Sequence, residues 1–237
     1  MVERALMRAG IVVTAVVAIA LLVPIQLQAA RSLAVPLFSL RAPLTVAPNL
    51  PALSRHVLVS EAERIWRREG VALEWPIPAA DATASLRVLV IARPEAILKG
   101  SRERWPVGEL VPQTGQRAIA IASIVSAERV LDEASASRLL FARPESVEYR
   151  LGLVLGRAVA HEIGHYLLAT ATHAEHGLMR AAIDAREFAN PGATTFGLDE
   201  MAGKWLRTRF AATAHENTLP VRGFAYSPPI AITAGNP

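Results

Sequence analysis

Two histidines four residues apart, with a glutamate beside the first, form the part of this chain best suited to chemistry. They are His161, Glu162 and His165, in the pattern H-E-x-x-H. On a helix, residues four apart lie on the same face, so one metal ion can reach both imidazole rings. Neutral imidazole nitrogens suit zinc, and a site with three protein ligands leaves a fourth position for water. Glu162 lies one residue further round the helix, where it could accept a proton from that water as a general base.

These side chains require a helix, and the sequence predicts one that follows Ser146 and runs to about Ala169. The Ser146 hydroxyl can cap its first turn. A segment that is apolar almost all round, as residues 151–169 are, is typical of a buried helix, in which ionisable groups must be paired or metal-bound. Its glycines, Gly152, Gly156 and Gly164, predict close approach of other elements, because glycine is otherwise unfavourable inside a helix.

The residues after His165 extend the pattern to H-E-I-G-H-Y-L-L-A-T-A-T-H-A-E-H-G-L-M-R. This segment of about twenty residues resembles the metzincin clan of zinc peptidases, and is similar to a group of bacterial predicted peptidases. The resemblance implies that His173 is the third zinc ligand beside His161 and His165, and that Glu162 is the base. It also implies that Met179 is the Met-turn residue beneath the metal. The function it implies is hydrolysis of a protein or peptide substrate, with an endopeptidase favoured over an exopeptidase.

The segment departs from the standard metzincin spacing H-E-x-x-H-x-x-G-x-x-H. Leu168 stands where the clan has a turning glycine, and Ala171 stands where it has the third histidine. Because His173 comes two residues later, the loop needs a different conformation, with its bend at Ala169 or Thr170.

Two other residues compete with His173 for the role of third ligand. His176 is close in sequence, and Glu200 is the best-placed downstream carboxylate for a gluzincin-like peptidase. A different class of function is a non-catalytic metal-binding envelope domain with a zincin fold, in which His176 could fill the fourth position. The presence of Glu162 argues against that class, because a structural site has no use for a base.

The remaining elements predict one α+β domain, a small metzincin-like (zincin) fold with a short mixed sheet, an active-site helix and a C-terminal helix. Apolar periodicity predicts a helix over residues 54–69 and another over residues 198–210, the second capped by Thr194 or Thr195. Short β-branched runs predict strands at residues 71–75, 86–92 and 117–125. The predicted core anchors are the four tryptophans, Trp66, Trp75, Trp105 and Trp205.

The N-terminal residues 1–30 predict a signal peptide or a membrane anchor. Arg4 and Arg8 precede a charge-free run over residues 9–30, whose dense apolar core suits a secretory segment. Either outcome places the domain outside the cytoplasm. We therefore expect a protein that is periplasmic, extracellular or anchored in the membrane. The other predicted boundaries are a Pro-rich linker over residues 31–51, the domain over residues 52–210 and an irregular tail over residues 211–237.

Composition limits the other classes of function. The 237 residues are 52% hydrophobic and 19% charged, which excludes a disordered or fibrous chain. The net charge of +4 comes from scattered positive residues, so we expect no nucleic-acid partner. Cysteine is absent, which excludes disulfides and thiolate catalysis.

Overall fold

Two long helices and a short sheet make up the part of the chain that positions the motif. The computed structural model describes residues 38–77, 84–92, 105–114, 117–136, 146–213 and 231–233. Its five helices are α1 (Ala52–Arg68), α2 (Ile124–Ala136), α3 (Val147–Leu168), α4 (Ala185–Ala189) and α5 (Glu200–Thr213). Its strands are β1 (Phe38–Arg41), β2 (Leu44–Val46), β3 (Val71–Glu74), β4 (Leu86–Ile91), β5 (Trp105–Pro106), β6 (Gly108–Gln113), β7 (Arg117–Ser123), β8 (Ala182–Asp184) and β9 (Ala231–Thr233).

The strands form three small sheets, and the largest of them packs against α3. Its order is β2-β4-β7-β6, with β2, β4 and β7 parallel and β6 antiparallel at the edge. Strand β1 pairs with β3, and β5, β9 and β8 form the third sheet. Small buried side chains at Ala118, Ala120 and Ala122 alternate along β7 and let α3 come close to the sheet. The predicted α+β class with a short mixed sheet is confirmed.

Helix α3 begins and ends where the sequence predicts. The Ser146 hydroxyl accepts a hydrogen bond from the backbone N–H of Tyr149 at 3.1 Å, which caps the first turn. Ala169 ends the helix in the left-handed conformation, with φ of 49°. Every residue from Arg150 to Leu167 is buried, as its apolar composition predicts.

The glycines of α3 allow α1 to lie against it. A Cβ atom on Gly152 would lie 2.5 Å from the carbonyl oxygen of Ser54, and one on Gly156 would lie 2.7 Å from that of Leu58. Since both distances are too short for a real Cβ contact, only glycine fits at these two positions. The predicted close packing is confirmed, and it fixes the position of α3 relative to α1.

Several predicted boundaries are wrong. Within the predicted linker, residues 38–41 form β1 and residues 44–46 form β2, because the backbone pairs with β3 and β4 and Leu40 is buried. The predicted strand 117–125 ends at Ser123, where α2 begins, a helix that the sequence analysis did not identify. In the predicted tail, α5 continues to Thr213 and residues 231–233 form β9.

The N-cap predicted for α5 is also wrong. The Asp199 carboxylate accepts a hydrogen bond from the N–H of Ala202 at 2.7 Å, whereas the Thr195 hydroxyl donates to Glu187 at 2.5 Å. The predicted signal or anchor over residues 1–30 lies outside the described residues. Among the residues that the structure describes, no helix combines the length and the apolar character needed to cross a membrane.

Candidate metal centre

Helix α3 places the two motif histidines side by side in the interior. The Nε2 atoms of His161 and His165 lie 2.9 Å apart, and both residues are fully buried. The rings meet edge to face, at an interplanar angle of 77°. The spacing of four residues therefore brings the rings together as predicted.

The other nitrogen of each ring is held by a backbone carbonyl. His161 Nδ1 lies 2.8 Å from the carbonyl oxygen of Leu178, and His165 Nδ1 lies 2.8 Å from that of Thr170. A carbonyl can only accept, so each Nδ1 carries the hydrogen and each neutral ring has a lone pair on Nε2. Two lone pairs 2.9 Å apart repel each other, and a cation between them removes that repulsion.

His173 completes a group of three. Its ring centroid lies 5.4 Å from that of His161 and 4.9 Å from that of His165. One nitrogen from each of the three rings lies within 4.8 Å of the other two. The Nε2 atom of His173 is buried and has no hydrogen-bond partner. The structure thus brings together the three histidines that the sequence analysis proposed as ligands.

A tight loop between α3 and His173 makes this approach possible. The chain turns at Ala169, one of the two predicted bend positions, where the positive φ does what glycine does in the standard spacing. The Thr170 side chain accepts a hydrogen bond from the N–H of Thr172 at 3.1 Å, which stabilises the next residues. Further on, the N–H of Ala174 donates to the carbonyl oxygen of Met179 at 2.8 Å.

Met179 lies against α3 at the glycine of the motif. A Cβ atom on Gly164 would overlap the Met179 sulfur, so the predicted need for close approach at Gly164 is confirmed. Met179 follows Leu178, whose carbonyl orients His161. Packing of Met179 on Gly164 therefore fixes the position of Leu178, whose carbonyl group holds His161. This role of Met179 does not require contact with a metal.

Glu162 is buried beside the edge strand of the sheet. Both of its carboxylate oxygens are buried without a hydrogen-bond partner. A Cβ atom on Gly108 in β6 would lie 2.8 Å from Glu162 Oε1, so glycine leaves the room that this carboxylate occupies. Burial raises the pKa of Glu162 well above its usual value, and the charge of Glu109 raises it further. A raised pKa makes the ionised carboxylate a stronger base than an exposed one.

Burial also keeps the histidines neutral. It lowers the pKa of His161 well below 6.5, with the neighbouring His165 adding to the effect, and it lowers the pKa of His165 to about 4. The pKa of His173 is lowered by burial as well. Neutral rings are the form that binds a metal ion, so these three residues could hold one at neutral pH without first losing protons.

The competing ligands lie elsewhere. His176 and Glu200 are both exposed, and in the described part of the chain neither belongs to the group that could hold a metal. Sequence reasoning missed Glu109, a buried carboxylate in β6 whose Oε2 has no partner. An acidic residue directly before the apolar pair Leu110 and Val111 was the signal that could have identified it.

A cleft of about 720 Å³ is lined in part by His173 and lies between its loop and α5. One wall is formed by Trp205, which is 46% exposed, so the prediction that all four tryptophans are core anchors is wrong for this one. Trp66 is fully buried, and its indole N–H donates to the carbonyl oxygen of Ala160 at 3.1 Å. The two residues differ because Trp66 of α1 is packed against α3, whereas Trp205 of α5 lines the cleft.

Comparison with protein-family models, with curated proteins and with solved structures finds no match to this chain. The resemblance to the metzincin clan therefore stays a prediction from about twenty residues.

Proposed function

We propose that this protein is a zinc-dependent peptidase, in which His161, His165 and His173 hold the metal and Glu162 is the general base. The observation that carries the proposal is the convergence of three imidazole rings, two of them with Nε2 atoms 2.9 Å apart. The proposal includes export from the cytoplasm, which rests on residues 1–30 alone.

The donor set fits zinc better than the hard divalent cations. Magnesium and calcium prefer oxygen ligands, whereas three neutral imidazole nitrogens suit zinc, and the cluster contains no thiolate. The two backbone acceptors, the carbonyl groups of Leu178 and Thr170, orient the rings as outer partners do in zinc sites. With three protein ligands, one coordination position is left for water or substrate.

Bound zinc would supply Lewis acidity, polarising a substrate carbonyl group and making water more acidic. Glu162 takes the proton from the attacking water and delivers it to the nitrogen of the departing amine. Its carboxylate has no hydrogen-bond partner among the described residues, so its lone pairs are free to accept that proton. Gly108 leaves the space that this carboxylate occupies, because any larger residue would displace it.

A non-catalytic metal-binding domain is the second candidate. The complete burial of His161, Glu162 and His165 favours it, because catalytic groups must meet a substrate. Against it, the metal-binding group found in the described residues supplies three ligands, whereas a structural zinc site has four. His173 is also only partly buried, which leaves an approach to the cluster from its side.

Replacing Glu162 by Gln tests the proposed function. We expect the variant to retain one zinc ion per chain and to lose peptide hydrolysis by about 10²–10⁴-fold, the usual contribution of a general base. Metal content is measured by elemental analysis, and hydrolysis with a fluorescent casein substrate. The matched control is Glu148→Gln, an exposed position on the same helix, which should keep both properties. Loss of zinc from Glu162→Gln, or hydrolysis equal to that of the control, would overturn the mechanism.

Replacing Gly108 by Ala should lower hydrolysis without removing the metal. The new Cβ atom would lie 2.8 Å from Glu162 Oε1 and must displace the carboxylate, while the histidines stay in place. Because small displacements of reacting groups are costly, we expect a loss of about 10–100-fold in kcat. Gly197→Ala is the matched control, since its nearest neighbour, Glu69 Oε1, is 3.5 Å from the added Cβ atom. Equal kcat values for the two variants would contradict the role given to Gly108.

A further inference from the structure

A small groove between α1 and α3 is separate from the candidate metal centre. Its volume is about 210 Å³, and its described lining contains none of the three histidines of that centre. Sites for drug-sized ligands typically enclose about 300–1,000 Å³. This groove therefore suits a smaller molecule or an ion.

Polar side chains on one face of α1 line this groove. His56, Ser60 and Arg64 are spaced four residues apart, so they lie on the same face of the helix. Tyr149 contributes a hydroxyl group from α3. The guanidinium group and the two hydroxyl groups can all donate hydrogen bonds, and a neutral imidazole ring has one N–H to donate. The groove therefore offers hydrogen-bond donors from both helices.

The carboxylate that lines the groove, Glu61, already has its own donors. Its Oε1 accepts from Arg157 Nε at 2.8 Å and from Arg64 Nη2 at 2.7 Å, and its Oε2 accepts from Arg64 Nε at 2.6 Å. Because three donors occupy it, Glu61 has little capacity left to bind a cation. The same bonds use two of the three nitrogens of Arg64, which leaves Nη1 to donate to a ligand.

The charges of this ion-pair cluster do not balance. Glu61 carries one negative charge and the two arginines that bond to it carry two positive charges, which leaves one positive charge in excess. Arg157 is fully buried, so water and salt screen its charge poorly. Burial lowers the pKa of Arg157 and repulsion from the Arg64 charge lowers it further, although Glu61 opposes both effects. An anion bound beside Arg64 would balance the excess charge.

We propose that this groove binds one phosphate group, with Arg64, Ser60 and Tyr149 as hydrogen-bond donors. Phosphate oxygens accept hydrogen bonds on several sides, so one group can bond to donors on both helices, and a guanidinium group matches their spacing. A carboxylate has only two oxygens and can use fewer of these donors. The inference does not depend on the proposed peptidase function, because the groove and the metal centre have separate linings.

Calorimetric titration of the full-length protein with potassium phosphate tests this site, with potassium chloride keeping the ionic strength constant. We expect Arg64→Gln to weaken binding by at least about tenfold, the usual contribution of a hydrogen bond between charged groups. Arg157 still donates to Glu61 in this variant, so we expect the fold to be retained. The matched control is Arg67→Gln, an exposed position on the same helix outside the described lining, which should change the affinity by less than about twofold. Phosphate bound to a metal ion would not respond to Arg64→Gln.

Two substitutions of Ser60 test the effect of charge alone. Ser60 is exposed, so the side chains of asparagine and aspartate both fit there without disturbing the core. They have nearly the same shape, but only aspartate places a negative charge beside the phosphate group. We expect Ser60→Asp to bind phosphate at least about tenfold more weakly than Ser60→Asn, because like charges repel.

Two further ligands identify the chemistry that the groove selects. Acetate should bind at least about tenfold more weakly than phosphate. Phenyl phosphate separates the two sources of the group: affinity equal to that of phosphate supports a phosphate ester, and weaker binding supports the free ion. Equal affinities of Arg64→Gln and Arg67→Gln, equal affinities of the two Ser60 variants, or acetate binding as tight as phosphate binding would each overturn the inference.

Discussion

Replacing His173 by Ala should remove zinc from the protein as thoroughly as replacing His161. The rings of His161, His165 and His173 offer three nitrogens within 4.8 Å of one another, and two histidines alone hold zinc weakly. We expect the affinity for zinc to fall by more than about 100-fold, beyond the roughly 10–100-fold cost of losing an outer hydrogen-bonding partner. Titration against a chelator of known affinity gives this value directly.

The controls are the two residues that compete for the same role. His176→Ala and Glu200→Ala replace exposed side chains outside the histidine group, so both variants should bind zinc as the wild type does. Full zinc binding by His173→Ala together with loss of zinc from Glu200→Ala would make the protein a gluzincin-like peptidase. In that case Met179 would have only its packing role against Gly164.

Replacing Arg157 by Met should lower the free energy of unfolding by about 3–5 kcal/mol, because it leaves buried acceptors without their donor, although Glu61 keeps its pair with Arg64. Arg157 is fully buried, and its Nε donates to Glu61 Oε1 at 2.8 Å. Its other nitrogens donate to the carbonyl oxygens of Phe188 at 2.7 Å and Asn190 at 3.0 Å. Methionine has an apolar side chain of similar length but no hydrogen-bond donor. The four oxygen atoms that accept from Arg157, including the carbonyl oxygen of Glu187, therefore lose these hydrogen bonds. Urea unfolding measures the change.

Two comparisons separate charge burial from simple loss of packing. Arg67→Met removes an exposed arginine that pairs with Glu63 at 3.4 Å, and should cost less than about 1 kcal/mol. In the double variant Glu61→Gln with Arg157→Met, the cost should be smaller than the sum of the single changes, because both changes break the same ion pair between Arg157 and Glu61. A cost below about 1 kcal/mol for Arg157→Met would contradict the structural role of this pair.

The helix that carries the motif could be predicted from the sequence because its signals are local. Ser146 provides the cap, the apolar run after it implies burial, and the spacing of His161 and His165 sets their common face. Gly152 and Gly156 indicated contact with another element, although the sequence pattern did not identify that element as α1.

Local signals were misleading where pairing partners are distant. The prolines before residue 51 suggested a linker, but β1 and β2 are strands because β3 and β4 pair with them.

For the candidate site, the sequence by itself determined the chemistry of the first three residues, and the resemblance proposed the fourth. Only the tertiary structure decided among His173, His176 and Glu200 as the residue that joins the group, since this depends on the left-handed turn at Ala169. It also decided that Trp205 faces a cleft rather than the core. The physical reason is the same in each case. Periodicity and capping act between residues a few positions apart, whereas the path of a loop and the exposure of a helix face are set by packing between segments far apart in the chain.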